Sequence, residues 1–392
     1  MSSDDIETWC DEHLPDLYDE GMFDSEEVYD DVVETINTIA AETVLAFIDD
    51  DDDRGDLEVQ LLDTALEWLR AYHDTVIEAL DPTSDATIQT LCNKPQVEQH
   101  SAEWYAQRRN RLTASEFSNI LTGSRGALLR SKLDTADPGD RPSQAPVALA
   151  QEDGNMNATS WGHRYEPVTR RIYELEIAGP DNVNDRLGRF THQTVPWLSA
   201  SPDGLVTKGP LAGRLVEIKS PKTRKPGTFV PDDYYVQMQI QMEVCDLDAV
   251  DFIEACFVQR TTQTVYTGRD DPLLNRADKL ALEAAEWKGR LCVYGFIEDQ
   301  STWTYRYSEP VNDIEDADVP VGPDCYPLLE SSVWWLDGWH PRTVLRNNKW
   351  WTTVGWPAAE LFWTEVQSGR DQHTESAADV IQHMAPVWLG RS

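Results

Sequence analysis

Two periodicities run along this chain, and they divide it into elements of different kinds. Over residues 198–221 the pattern is that of a strand. Leu205 and Val206 form a short apolar run, a Gly/Pro-rich turn follows, and Arg214-Leu215-Val216-Glu217-Ile218-Lys219 then alternates with a period of two. That period places Glu217 and Lys219 on one face and Val216 and Ile218 on the other. The return of a hairpin would bring Asp203 beside them. Elsewhere the period is helical. Val28, Val32, Val33, Ile36, Ile39 and Leu45 make one stripe, and Leu62, Leu66, Leu69, Tyr72, Val76 and Leu80 make a second. A third runs through Tyr165, Val168, Ile172 and Leu175, and residues 234–244 have spacing compatible with a fourth helix. Thr113 with Glu116 forms a capping box, which predicts a helix over residues 114–121 stopped by Gly123. Residues 250–259 and 264–267 read as two more strands, residues 273–291 as a helix, and the Gly/Pro/Ser-rich residues 124–158 as a long surface loop. The class predicted is α/β, a central mixed β-sheet flanked by helices.

Composition divides the chain in three. Residues 1–95 are dominated by Asp and Glu, with an unbroken acidic run at 49–53, and read as an acidic helical region. Residues 96–295 hold the alternating strands and form the core, and residues 296–392 are rich in tryptophan and read as an appended small core. With 70 acids against 33 bases the formal charge is −37, which excludes a protein gripping nucleic acid with its whole surface but leaves room for a local basic cleft. The acidic N-terminus lacks an apolar signal core, and no apolar run is long enough to span a membrane. Cys10, Cys92, Cys245, Cys256, Cys292 and Cys325 have no metal-ligand spacing and read as reduced thiols of an intracellular protein.

The candidate chemistry sits where the hairpin closes. A Glu-x-Lys tripeptide on a strand is by default an exposed ion pair of little worth. Pro202-Asp203, fourteen residues upstream of Glu217 (217 minus 203), changes its weight. Two carboxylates and an ammonium at one point suit a hard divalent cation, which takes one or two carboxylates plus substrate phosphates. Three arginines, Arg108, Arg109 and Arg111, precede the capped helix, where they suit a phosphate or stand as solvated charges. Glu166 lies beside the apolar stripe of its helix, and Lys222, Arg224 and Lys225 form a basic cluster after the hairpin. His163 reads as structural, because an oxygen-rich magnesium site does not call for imidazole.

Five ordered blocks together carry a resemblance. They are Arg108 with Leu112-Thr113-Ala114-Ser115-Glu116; Trp161-Gly162 with Tyr165-Glu166; Ala200-Ser201-Pro202-Asp203-Gly204-Leu205; Glu217-Ile218-Lys219-Ser220-Pro221; and Tyr234 with Gln237 and Gln239. In this order and spacing, over roughly residues 104–260, the chain resembles the phage lambda exonuclease and YqaJ-type viral recombinases of the PD-(D/E)xK nuclease superfamily. The resemblance implies a restriction-endonuclease-like core and a set of roles. Asp203 and Glu217, with the main-chain carbonyl of Ile218, would hold Mg²⁺, with Mn²⁺ as its substitute. Lys219 would be the catalytic lysine, Glu166 the outer carboxylate, and Gln237 the support of the lysine or water. Arg108, Ser115 and Ser201 would receive a DNA 5′-phosphate, with a further arginine at Arg224 or Lys225.

By the same resemblance the substrate is double-stranded DNA with a free 5′ end, digested 5′ to 3′ in viral recombination, repair or processing. A single-strand annealing protein would be the partner, trimeric rings occur among relatives, and a viral protein would act in the host cytoplasm or nucleus. Two other readings share these residues: a structure-specific endonuclease using the same site, and a catalytically idle DNA-binding scaffold. The acidic N-terminal and Trp-rich C-terminal regions depart from the compact phage enzyme.

Overall fold

The computed structural model describes residues 3–48, 51–99, 101–133, 156–264, 274–295, 303–320 and 328–384. Helices α1 (Ser3–His13), α2 (Glu26–Thr43) and α3 (Asp51–Glu78) pack around a core of their own, in which Ile6, Trp9, Leu14, Ile36, Leu61 and Leu69 are buried. Both expected helices therefore exist and α1 joins them, but the buried line of α3 is Leu57, Leu61, Ala65 and Leu69. Of the second stripe, Leu69 is buried, Leu62 and Leu66 pack at its edge, and Tyr72 is exposed. This acidic unit is followed by α4 (Asp85–Cys92), α5 (Ala102–Gln107), β1 (Leu112–Thr113), α6 (Ala114–Leu121) and α7 (Arg125–Leu133). The capping box of α6 is present as expected, and the Glu116 carboxylate accepts from the Thr113 N–H at 3.3 Å. Residues 125–133, expected within a loop, are helical, and most of the rest of that loop lies outside the described residues.

The remaining elements build the sheets: α8 (Ala158–Tyr173), β2 (Val183–Asn184), β3 (Phe190–Thr191), β4 (Leu198–Ala200), β5 (Gly204–Val206), β6 (Leu215–Lys219), α9 (Asp232–Cys245), β7 (Ala249–Thr264), α10 (Arg276–Ala284), β8 (Lys288–Gly295), β9 (Trp303–Tyr307), β10 (Leu328–Leu345), α11 (Asn348–Trp350) and α12 (Trp356–Met384). A seven-stranded sheet has the order β2-β5-β6-β7-β10-β8-β9, with β6 and β7 parallel and the other pairs antiparallel. A small sheet, β1-β4-β3, runs straight into it, because β4 and β5 are separated only by residues 201–203.

Alternation along β7 shows how the layers form. Val250 and Phe252 join the core that holds α9, whereas Ile253, Ala255 and Phe257 face the side covered by α8. The strands expected at 250–259 and 264–267 are one long β7, with residues 265–267 outside the described set. The helix expected over 273–291 ends at Ala284, and β8 begins at Lys288. Pairing of β8 with both β10 and β9 overrides the helical charge pattern there.

The tryptophan-rich segment does not form an appended core. β10 lies between β7 and β8 as an inner strand of the main sheet. Trp334 packs with Phe257 beneath α8, while Trp335 points the other way with Leu282 and Val333. The Leu336 N–H still donates to the Trp287 carbonyl at 2.9 Å. Beyond it, among the described residues, the strand pairing of β10 is with β7, and Pro341, which lacks an N–H, is accommodated there. Farther on, Trp350 and Trp351 lie against Phe117, and Trp363 stacks on Trp197 at 5.1 Å. Arg342 donates to the carbonyls of Gly227 and Thr228, and Arg346 pairs with Glu243 and Asp246. These two arginines thus tie the C-terminal segment to the core.

Candidate active site

The hairpin closes as its alternation predicts. Gly204 pairs with Val216 and Leu205 with Leu215, a register that, carried one residue further, brings Asp203 alongside Glu217. The Ile218 N–H donates to Asp203 Oδ2 at 2.8 Å, and the Asp203 N–H donates to the Val216 carbonyl at 3.1 Å. Gly213, at φ 99°, allows the turn between the strands, where an added Cβ would strike Thr83. On β6, Val216 and Ile218 pack with Tyr173 on the α8 side. Leu215, Glu217 and Lys219 occupy the opposite face, towards α9.

Glu217 is fully buried, and its carboxylate is held by three donors. Lys219 Nζ and Gln237 Nε2 (2.7 Å) reach Oε1, and Gln241 Nε2 reaches Oε2 at 2.6 Å. Gln237 and Gln241 are four residues apart on α9 and therefore share a face. Gln239 points elsewhere, bonding the Leu345 carbonyl and the Asn347 N–H at the end of β10. Gln241 was not singled out from the sequence, although its helical spacing from Gln237 was visible. Replacing Gln241 by leucine is expected to cost about 1–3 kcal/mol, the penalty of leaving a buried acceptor short of a donor. Chemical denaturation of that variant beside the wild type would measure it.

Burial and the neighbouring Glu217 charge raise the Asp203 pKa well above the usual carboxylate value, against the opposing pull of Lys219. Burial by itself would lower the Lys219 pKa, but the carboxylates of Glu217 and Asp203 outweigh it and hold the ammonium above the ordinary lysine value. Nζ also sits 4.8 Å from the centre of the Tyr234 ring. Among the described residues no three His, Cys, Asp or Glu side chains gather closely enough to make a complete metal cage. Even so, the donor set fits a hard divalent cation. Asp203, disfavoured as an anion by burial and by Glu217, lines the cleft. Glu217 is buried beside it, with both oxygens accepting from Lys219, Gln237 and Gln241. Carboxylate oxygens are the few protein donors magnesium uses beside water and phosphate.

That cleft, about 630 Å³ including its open mouth, is lined by residues from widely separated segments. His163 and Glu166 come from α8, Asp203 from the hairpin and Gln237 from α9. Trp104, Arg108, Ser115, Arg189 and Ser201 line the same cleft. His163 Nδ1 stands 3.8 Å from Glu166, one turn along the helix. Arg108 pairs with Glu116 at 3.1 Å, and Glu116 also takes the buried Lys132 at 2.8 Å. Burial alone would raise the Glu116 pKa, but Lys132 and Arg108 draw it below the usual value. Trp104 Nε1 donates to Ser201 Oγ at 3.3 Å, and its ring lies under Arg108 on one side and Arg189 on another. A local basic wall thus exists within a strongly acidic chain.

Not every predicted residue comes to this cleft. Arg224 pairs with the buried Glu254 and lies 5.9 Å from the Tyr234 ring, and Lys225 pairs with Asp337 at the surface. Neither is among the lining residues. Arg189, which is, carried no sequence signal. Gly188 makes its position feasible, since a Cβ there would meet the Val97 carbonyl at 2.5 Å and the backbones could not approach. The Arg189 N–H donates to that same carbonyl at 2.9 Å.

Residues 103–248 match the YqaJ-like viral recombinase domain. The matched stretch runs from α5 to just past α9 and so contains every residue lining the cleft except Gln99. A protein of Acanthamoeba polyphaga mimivirus, itself uncharacterized, is 29% identical over 181 residues, covering 41% of this chain and 29% of that protein. The match therefore spans less than a third of the viral relative's length. Two crystal structures of an alkaline exonuclease from Laribacter hongkongensis, one with dAMP, align over 71% of this chain and all of theirs. Their identities are 18% and 17% and their TM-scores 0.40 and 0.39, a loose likeness. The β7–β10 pairing and the acidic helices lie outside the matched stretch or at its margin. Among the described residues no helix is long and apolar enough to cross a membrane, and the five described cysteines are free.

Proposed function

We propose that this protein is a metal-dependent deoxyribonuclease that degrades double-stranded DNA from a 5′ end in viral recombination, repair or DNA processing. One observation carries the reading: Asp203, Gln237 and Glu166 line the same cleft as Arg108, Ser115 and Ser201, with Glu217 and Lys219 bonded at its base. Hydrolysis of a phosphodiester needs a water brought in line with phosphorus and the developing negative charge neutralised. Asp203 and Glu217, with the Ile218 carbonyl, would hold Mg²⁺, which when bound lowers the pKa of water and neutralises phosphate charge. Lys219 orients the attacking water or steadies the developing charge from its place between Glu217 and Tyr234. Gln237 and Gln241 fix the Glu217 carboxylate, so that neither oxygen swings away. Arg108 and the two serines, which line the same cleft, hold the terminal phosphate.

The test is digestion of linear duplex DNA labelled at one 5′ or one 3′ end, with Mg²⁺ or with EDTA, beside Asp203→Ala. Early release of 5′-terminal nucleotides with metal, lost in the variant, is the expected result. Release from the 3′ label first would reverse the polarity. Cuts on circular or end-blocked DNA would make the protein an endonuclease, and binding without cleavage in any metal would leave a DNA-binding scaffold.

A further inference from the structure

Arg189 stands in the basic wall in an unusual electrostatic state. It is 3% exposed, and Nη1 donates to the Trp104 carbonyl at 2.7 Å while the guanidinium lies 4.4 Å from the centre of the Trp104 ring. Nε and Nη2 are buried with no hydrogen-bond partner. Among the described ion pairs none involves Arg189, because the nearby Glu116 is engaged by Arg108 and Lys132. Burial and repulsion from Arg108 and Arg111 bring its pKa down to about 10, which still leaves it cationic at neutral pH. A buried cation with two free N–H groups is costly unless an anion meets it.

Arg108 differs, being a third exposed and offset by Glu116 at 3.1 Å. The uncompensated charge of the pocket therefore belongs to Arg189. Its plane is set by the Trp104 ring and carbonyl, and the two free donors form one edge of the guanidinium fork. An internal phosphodiester offers one negative charge, whereas a terminal monoester carries close to two and a third unesterified oxygen.

We infer that Arg189 is the specificity-determining residue of this pocket, a preset fork that selects the phosphate monoester at a DNA end over internal diesters and hydroxyl ends. The inference rests on the proposed action at DNA ends but requires no catalysis, so it is tested in EDTA. A short blunt duplex bearing either a 5′-phosphate or a 5′-hydroxyl, labelled on the complementary strand, is titrated with protein and followed by fluorescence anisotropy. Wild type is expected to bind the phosphorylated duplex about tenfold tighter, the scale of a charge-assisted pair. In R189K the ratio is expected to fall to within about twofold, with affinity for the hydroxyl duplex little changed, since lysine keeps the charge and loses the fork. Equal affinity of wild type for both ends overturns the inference, as does a ratio retained in a folded R189K. Should R189K fail to fold, R189Q takes its place in the same titration, since the amide keeps a donor and loses both the charge and the fork. A ratio that falls to within about twofold supports the inference, and a ratio retained at the wild-type value overturns it. Absence of nuclease activity in the labelled digestion would defeat the proposed reaction without altering any of these readings.

Discussion

Lys219→Ala is expected to slow cleavage of linear duplex DNA by about 10²–10⁴-fold, the usual effect of losing a positioned proton-handling group, with duplex binding in EDTA retained. Lys219 is the cation closest to the two carboxylates, bonded to Glu217 and electrostatically coupled to Asp203. Its loss also leaves a buried carboxylate with amide donors alone, and breaking a buried pair costs about 3–5 kcal/mol. The variant must therefore be compared with wild type below its own unfolding midpoint. A second readout separates chemistry from folding. Without the ammonium, Asp203 and Glu217 repel one another unscreened, so Mg²⁺ should raise the thermal midpoint of Lys219→Ala more than that of Asp203→Ala. A folded Lys219→Ala protein that cleaves at the wild-type rate would remove this residue from the reaction.

Trp334→Ala is expected to cost about 3–5 kcal/mol, the range for emptying a large aromatic site in a packed core. Trp334 is completely buried, edge-on to Phe257 at 5.6 Å, and it fills the space over Gly289, where any Cβ would overlap the indole. The strand that carries it bonds to β7 on one side and β8 on the other, so a cavity there loosens both pairings. Leu361 on α12 is 60% exposed, and Leu361→Ala should stay within about 0.5 kcal/mol. Equilibrium denaturation of the two variants compares them. Equal, small losses would show that β10 does not sit inside the sheet.

Much of the candidate site was legible because its signals are local. A period of two fixes which residues of β6 share a face, and a hairpin with a glycine turn fixes what lies opposite, so Asp203, Glu217 and Lys219 were placed by their neighbours in sequence. The capping box fixed α6 by the same kind of short-range hydrogen bond. Leu175 marks the limit of such reading. Its helical stripe continues on paper, but α8 gives way to a π-helical turn at Glu174–Ala178, and Leu175 is 37% exposed. Helix α10 shows a stronger failure, since charge alternation along residues 285–291 was outweighed by pairing with strands remote in sequence.

The sequence by itself thus determined the helical N-terminal unit, the mixed α/β class, and the carboxylate and lysine group of the hairpin, all of which follow from contacts within a few residues or across one turn. Only the tertiary structure decided that the tryptophan-rich segment supplies an inner strand. It likewise brought Gln241 to Glu217, turned Arg224 and Lys225 towards Glu254 and Asp337, and set Arg189 in the cleft wall. Those outcomes depend on strand order and on the close approach of Gly188 to Val97, where the energy lies in burial and in satisfied polar groups summed over distant segments. No window of sequence contains both sides of such a contact.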